Sequence, residues 1–197
     1  MAEKLFRPAN HTHAEVFCMQ FCYSCRYWQG DDDDLGKPYC ELEIYDNALI
    51  NDVTDPEYPK EWRFGEDGNP VCIAYKRRIP PEPVLEEDGY PTYEQLRAIR
   101  WWPWDNLEGL AEYICKLWKY PNMARFNRAT GLLVLHTGGW SGNEQIVEAL
   151  QYHPIFWKRC WLMSKRGGHY WFRIEKRNRR KTEKLTEEKK ENRKQKN

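Results

Sequence analysis

Phe21-Cys22-Tyr23-Ser24-Cys25-Arg26-Tyr27-Trp28 is the stretch on which the reading of this chain turns. Two cysteines separated by two residues put both sulfurs on one tight turn, within reach of a single tetrahedral zinc ion. The remaining ligands must come from further along. Cys40 stands beside Pro38-Tyr39 and Cys72 follows Asn69-Pro70-Val71, both in turn-like surroundings. Cys18 and His13 are the alternatives for the fourth position. Trp28 and Tyr75, each three residues beyond a cysteine, are suited to shield a metal from water. The expectation is a site of Cys22, Cys25, Cys40 and Cys72 with zinc as structural cofactor. Metal binding there would supply folding energy that an acidic, turn-rich segment lacks from burial. Four unrelated core thiols are the competing reading. A redox pair is another, but it needs a strand-to-helix junction inside a βαβ unit, a pattern this sequence does not show.

The chain has 197 residues and seven cysteines, an odd number that argues against a disulfide framework. Met1 to Pro8 contains no apolar signal core, and no run of about 18 apolar residues exists anywhere. A cytoplasmic protein without a membrane span is therefore expected, where thiols stay reduced.

The net charge of +1 conceals an asymmetry. Residues 29–90 carry six Lys and Arg against seventeen Asp and Glu, whereas residues 91–174 carry eleven against six and residues 175–197 eleven against five. One end is acidic and the other basic, which bears on partners more than on fold.

Composition divides the chain into a zinc-binding module over 1–80, a proline-rich acidic linker over 81–90, an α+β domain over 91–174 and a disordered basic tail over 175–197. Ile79-Pro80-Pro81-Glu82-Pro83 reads as extended, because proline fixes φ and biases its predecessor away from helix. Asp105 is placed to cap a helix whose apolar residues, Leu107 to Trp118, follow the 3.6-residue period. Leu132-Leu133-Val134-Leu135 after Gly131 predicts a buried strand. Ser141 and Glu144 have the spacing of a capping box for a helix through Leu150. Residues 155–174 read either as two strands or as a short helix, Ile155 to Ser164, followed by a hairpin. The second version gives the element order of a winged helix. The fold class expected is α+β.

The CxxC with its tryptophan, the glycine-bearing spacer, the single later cysteines, His136-Thr137-Gly138-Gly139-Trp140-Ser141-Gly142-Asn143-Glu144 and Arg166-Gly167-Gly168-His169-Tyr170 together resemble small, uncharacterised zinc-binding accessory proteins of tailed bacteriophages and prophages. The resemblance implies an accessory protein in a host cytosol and implies no activity.

Basic and aromatic residues interleave near the C-terminus. Lys158, Arg159, Lys165, Arg166, Arg173, Arg177, Arg179 and Arg180 are the candidate nucleic-acid contacts, with Trp157, Trp161, Tyr170 and Trp171 among them. Cations neutralise phosphates and exposed rings stack on bases, so a non-enzymatic nucleic-acid-binding protein is the first expectation. Trp157, Trp161 and Trp171 are also candidates for the core. A second expectation is an inhibitor of a host defence protein that binds through the acidic segment 31–67, with Asp31-Asp32-Asp33-Asp34 imitating a phosphate backbone. A third is an enzyme around the glycine loop 137–142, drawing on His136, Ser141, Glu144 and His169. That loop lacks the Lys-Ser/Thr of a P-loop, and Gly139-Trp140-Ser141-Gly142-Asn143 is not G-x-S-x-G. Trp101-Trp102-Pro103-Trp104 is read as the seam between the two units.

Overall fold

The computed structural model describes residues 4–29, 39–44, 48 and 53–175. Helix α1 spans His11–Gln20, and the Asn10 side chain caps it by accepting the His13 amide at 2.9 Å. Two short antiparallel ribbons follow. β1, Trp28–Gln29, pairs with β2, Tyr39–Cys40, and β3, Trp62–Phe64, pairs with β4, Pro70–Cys72. These pieces are too short to bury much alone, so they gather around aromatic rings. Phe6, Phe17 and Trp62 form one buried cluster with Ile44, Ala48 and Tyr58, and the Phe17 and Trp62 rings lie 4.4 Å apart. Tyr58 closes the cluster by donating its hydroxyl to the Phe6 carbonyl.

The second core is larger. Helix α2, Tyr93–Arg100, opens on a reciprocal cap: Thr92 Oγ1 accepts the Gln95 amide, and Gln95 Oε1 accepts the Thr92 amide. Helix α3, Leu107–Leu117, follows a single 3-10 turn, and strands β5, Ala124–Asn127, and β6, Leu132–His136, form a hairpin. Helix α4, Ser141–Tyr152, and the single-turn helix α5, Phe156–Cys160, precede a second hairpin of β7, Trp161–Lys165, and β8, His169–Arg173. The four strands make one antiparallel sheet in the order β5-β6-β8-β7. Leu110, Ile114 and Leu117 of α3, Ile146 and Leu150 of α4, and Phe156 of α5 bury one face of it against Leu133, Leu135 and Phe172. The chain is mixed α+β, as its composition and periodicities imply. Among the described residues no helix is long and apolar enough to cross a membrane.

Several local expectations are corrected. Asn106, not Asp105, caps α3, accepting the Gly109 amide, because the 3-10 turn Trp104–Asn106 takes up Asp105. Ser141 forms no capping box: it is already the first residue of α4, and its hydroxyl bonds Tyr90 Oη at 2.6 Å. The helix Ile155 to Ser164 does not form. Helix ends at Cys160, because from Trp161 the backbone pairs with β8, so the element a winged helix would lay in a groove is one turn long. Trp161 is an exposed edge-strand residue rather than core.

The proline-rich segment 81–90 has no regular structure, yet it is docked on the second core. Leu85 packs against that core, and the Trp140 indole donates to the Gly89 carbonyl at 3.3 Å. The expected seam at Trp101 is visible as geometry. Trp101 lies 4.9 Å from the Tyr23 ring, while Trp102 packs on Tyr113 of the second core. Arg78 and Arg97 both donate to the Trp28 carbonyl, joining β1 to α2.

Candidate functional site

Cys22, Cys25, Cys40 and Cys72 line a single small cavity, walled by Phe21, Trp28, Ile44, Trp62 and Tyr75. Ribbon pairing brings them there. Cys40 is the register partner of Trp28, and Cys72 is the partner of Trp62, so two distant cysteines end beside the CxxC turn. Each of the four also opens a tight turn. The amides of Cys25, Trp28, Glu43 and Tyr75 bond to the carbonyls of Cys22, Cys25, Cys40 and Cys72 respectively, at 2.7 to 3.2 Å. Glu43 takes a left-handed φ of 56° to complete its turn. The Cys72 sulfur accepts from the backbone amides of Ala74 and Tyr75. Burial nonetheless pushes the Cys72 thiol up to about 11. A hydrogen bond donated by its thiol to Cys18, then burial, holds Cys22 well above the ordinary thiol range. Among the described residues, no three His, Cys, Asp or Glu side chains are gathered closely enough to hold a metal ion as they are placed. The sulfurs line the cavity without converging. Cys18 is buried on α1, next to Cys22, and His13 packs edge-on against Phe6. Cys115 and Cys160 belong to the second core.

A second feature lies on the sheet. Residues directly opposite on neighbouring strands share a face, so the registers define rows across it. Arg125, Val134, Trp171 and Met163 form one row. His136, His169 and Lys165 form the next, and Asn127, Leu132 and Arg173 the third. These rows face away from the helices and stay partly or fully exposed, while Leu133, Leu135 and Phe172 between them are buried. The three rows carry the cations Arg125, Lys165 and Arg173 and no carboxylate. Lys165 Nζ sits 5.7 Å from the centre of the Trp171 ring. His136 and His169 meet Nδ1 to Nδ1 at 2.7 Å, and burial, then the neighbouring His169, lowers the His136 pKa.

The predicted nucleic-acid residues are thus split. Lys165 and Arg173 lie on this face beside Trp171, and Arg166 is exposed in the β7–β8 turn. Lys158 and Arg159 are exposed on α5, which packs on the opposite side. Arg177, Arg179 and Arg180 lie outside the described residues, as do Asp31 to Asp34, Asp46 and Asp52 of the acidic segment. Arg125 escaped sequence reasoning, and His136 and His169 were singled out only as partners of Ser141 and Glu144, not as a pair on the sheet. Their signal was the alternation of Leu132, Val134 and His136 along β6, masked by the apolar run around it.

The glycine loop does not assemble the imagined enzyme. Its Gly139 and Trp140 amides bond back to Thr137, to the hydroxyl and the carbonyl respectively, instead of pointing outward. Ser141 is held by Tyr90, and Glu144 is exposed on α4. His153 is buried under the seam, with Nε2 3.0 Å from the Trp102 carbonyl.

No known family model, curated protein or solved structure matches this chain.

Proposed function

We propose that this protein is a non-enzymatic accessory protein that binds single-stranded nucleic acid on the open face of its sheet. The observation that carries the reading is the row Arg125–Val134–Trp171–Met163 flanked by Lys165 and Arg173. An indole on a flat, partly exposed sheet accepts a base by stacking, and cations on either side neutralise the phosphates that follow. A duplex offers no free base to a flat sheet, so single strands are the preferred ligand. The residues 176–197, rich in Lys and Arg, continue directly from β8 and add sequence-independent affinity. The resemblance to small accessory proteins of tailed phages supplies the setting, a host cytosol.

The same reading includes a structural zinc ion in the thiol cavity. Four cysteines at four tight turns around one apolar pocket match a closed tetrathiolate site, in which no position is left for substrate.

Fluorescence anisotropy of labelled single- and double-stranded oligonucleotides, with the full chain purified in zinc, tests the nucleic-acid reading. Single-strand binding that weakens steeply with salt and falls on Trp171→Ala is the expected result. Absence of binding to either form at low salt overturns it.

A further inference from the structure

The pairing of His136 with His169 is not explained by packing. Both rings lie on the solvent side of the sheet, on adjacent strands, where an exposed apolar or charged cross-strand pair would serve stability as well. Their Nδ1 atoms are 2.7 Å apart, a distance at which one proton is shared as N–H···N. His169 is also the register partner of Lys165, whose ammonium leans over Trp171. Both imidazoles lie against that same indole, at 5.9 Å for His136 and 6.3 Å for His169.

We propose that His136, His169 and Lys165 form a phosphate subsite that takes up a phosphodiester together with one proton. The assignment rests on the nucleic-acid reading above and adds the chemistry of one nucleotide position: base on Trp171, phosphate on the histidine pair. With one shared proton the pair is neutral and satisfied. A further proton goes to the free Nε2 of the donor ring, keeps the shared N–H···N bond and turns the pair into a cation on the same row as the Lys165 ammonium, which is unfavourable unless an anion lies over the rings. A phosphate oxygen is such an anion, and Lys165 supplies the further positive charge that keeps it there.

The groups facing the pair are Lys165 from β7 and the Trp171 ring from β8. Arg125 of β5 and Arg173 of β8 stand one row and two rows further along the face. On the loop side the neighbour is Thr137, which is buried and uncharged. Burial, then the neighbouring His169, lowers the His136 pKa, so proton uptake there is opposed in the free protein and favoured when phosphate arrives. The sign follows: affinity for a phosphodiester rises as pH falls through the histidine range.

The test uses the full chain and two probes. A fluorescent oligothymidylate titrated at pH 8 and at pH 6 should bind about three- to fivefold more tightly at the lower pH, because one unit of pKa difference between the free and bound states gives its full tenfold only below both values. His136→Asn with His169→Asn should abolish that gain. Inorganic phosphate is the second probe. At pH 6 it should shift the imidazole resonances of His136 and His169 and leave those of buried His153 in place, the latter also reporting that the double variant is folded. A pH-independent wild-type affinity, or a gain that survives in the double variant, overturns the subsite while the sheet interface stands. Failure of the oligonucleotide at every pH with phosphate still moving both histidines sinks the interface reading and keeps the subsite. Failure of both probes removes both.

Discussion

The side-chain amide of Gln95 donates to the carbonyl of Val84 at 2.7 Å, and to that of Glu82 at 2.8 Å. The residue that caps α2 thus also anchors the proline-rich segment, with 3% of its surface exposed. Gln95→Leu would leave two carbonyls and the Thr92 amide unsatisfied at once. A loss of about 2–4 kcal/mol is expected, against about 1 kcal/mol for Thr92→Ala. Urea denaturation followed by tryptophan fluorescence measures both; equal costs would mean that the anchoring bonds contribute nothing.

Stability should fall in mild acid because of His153. Its Nδ1 accepts the amides of Ile155 and Phe156, so the neutral ring protonated at Nε2 is the form that fits. Burial lowers its pKa from 6.5 to about 4. The folded state then binds the proton less well than the unfolded state. Its stabilisation is complete above the unfolded value and is lost as pH drops toward the folded one, amounting to about 3 kcal/mol. Urea midpoints at pH 7, 5.5 and 4.5 should decline in wild type and decline less in His153→Gln. Parallel slopes would assign the acid sensitivity elsewhere.

Protein purified without chelator should contain one zinc per chain, and cobalt should replace it with the visible absorption of a tetrahedral thiolate site. Cys25→Ser or Cys72→Ser should lose the metal, whereas Cys115→Ser and Cys160→Ser should retain it. A folded, metal-free wild type whose thiols in the cavity all react freely would refute the site.

On the sheet, Trp171→Ala should weaken single-strand binding by about 1–3 kcal/mol, roughly fivefold to 150-fold. Lys158→Ala with Arg159→Ala, on the helical side, should change it little. The opposite ranking would move the interface to α5.

Gly131 turns the β5–β6 hairpin at a φ of 69°, and an added Cβ would collide with the Ile174 carbonyl. Gly131→Ala should cost at least about 1–2 kcal/mol from the left-handed backbone alone. Unchanged thermal stability would mean that the turn can rearrange.

Long periodic segments were the most legible in the sequence. Leu107 to Leu117 and Ile146 to Leu150 announced α3 and α4 by their period, and the run after Gly131 announced β6. Helix α2 went unread although Thr92 and Gln95 carry a capping box, because the eye follows apolar period and this helix is mostly polar. Ser141 and Glu144 carry the same spacing without the structure, since Tyr90 claims the serine hydroxyl. The break between Cys160 and Trp161 could not be read, because it is set by pairing with β8, not by local preference. Prolines 80, 81 and 83 correctly signalled the absence of helix and strand, but absence of regular structure was not absence of packing. The cysteines that line the cavity were legible, Cys22 and Cys25 from their spacing and Cys40 and Cys72 from the turn-forming residues beside them. The open face was not, because it exists only once four strands are in register.

The carbonyl of Trp28 accepts from Arg78 on one side and from Arg97 of α2 on the other. A single main-chain oxygen on a two-residue strand is thereby shared by the two halves of the molecule. If the ribbon of β1 and β2 frays, α2 loses a partner from its inner surface, and α2 is packed along α4, which roofs the sheet. Damage to the thiol end, by oxidation for example, would then be felt as softening at the far end of the chain, and the two cores would melt as one cooperative unit.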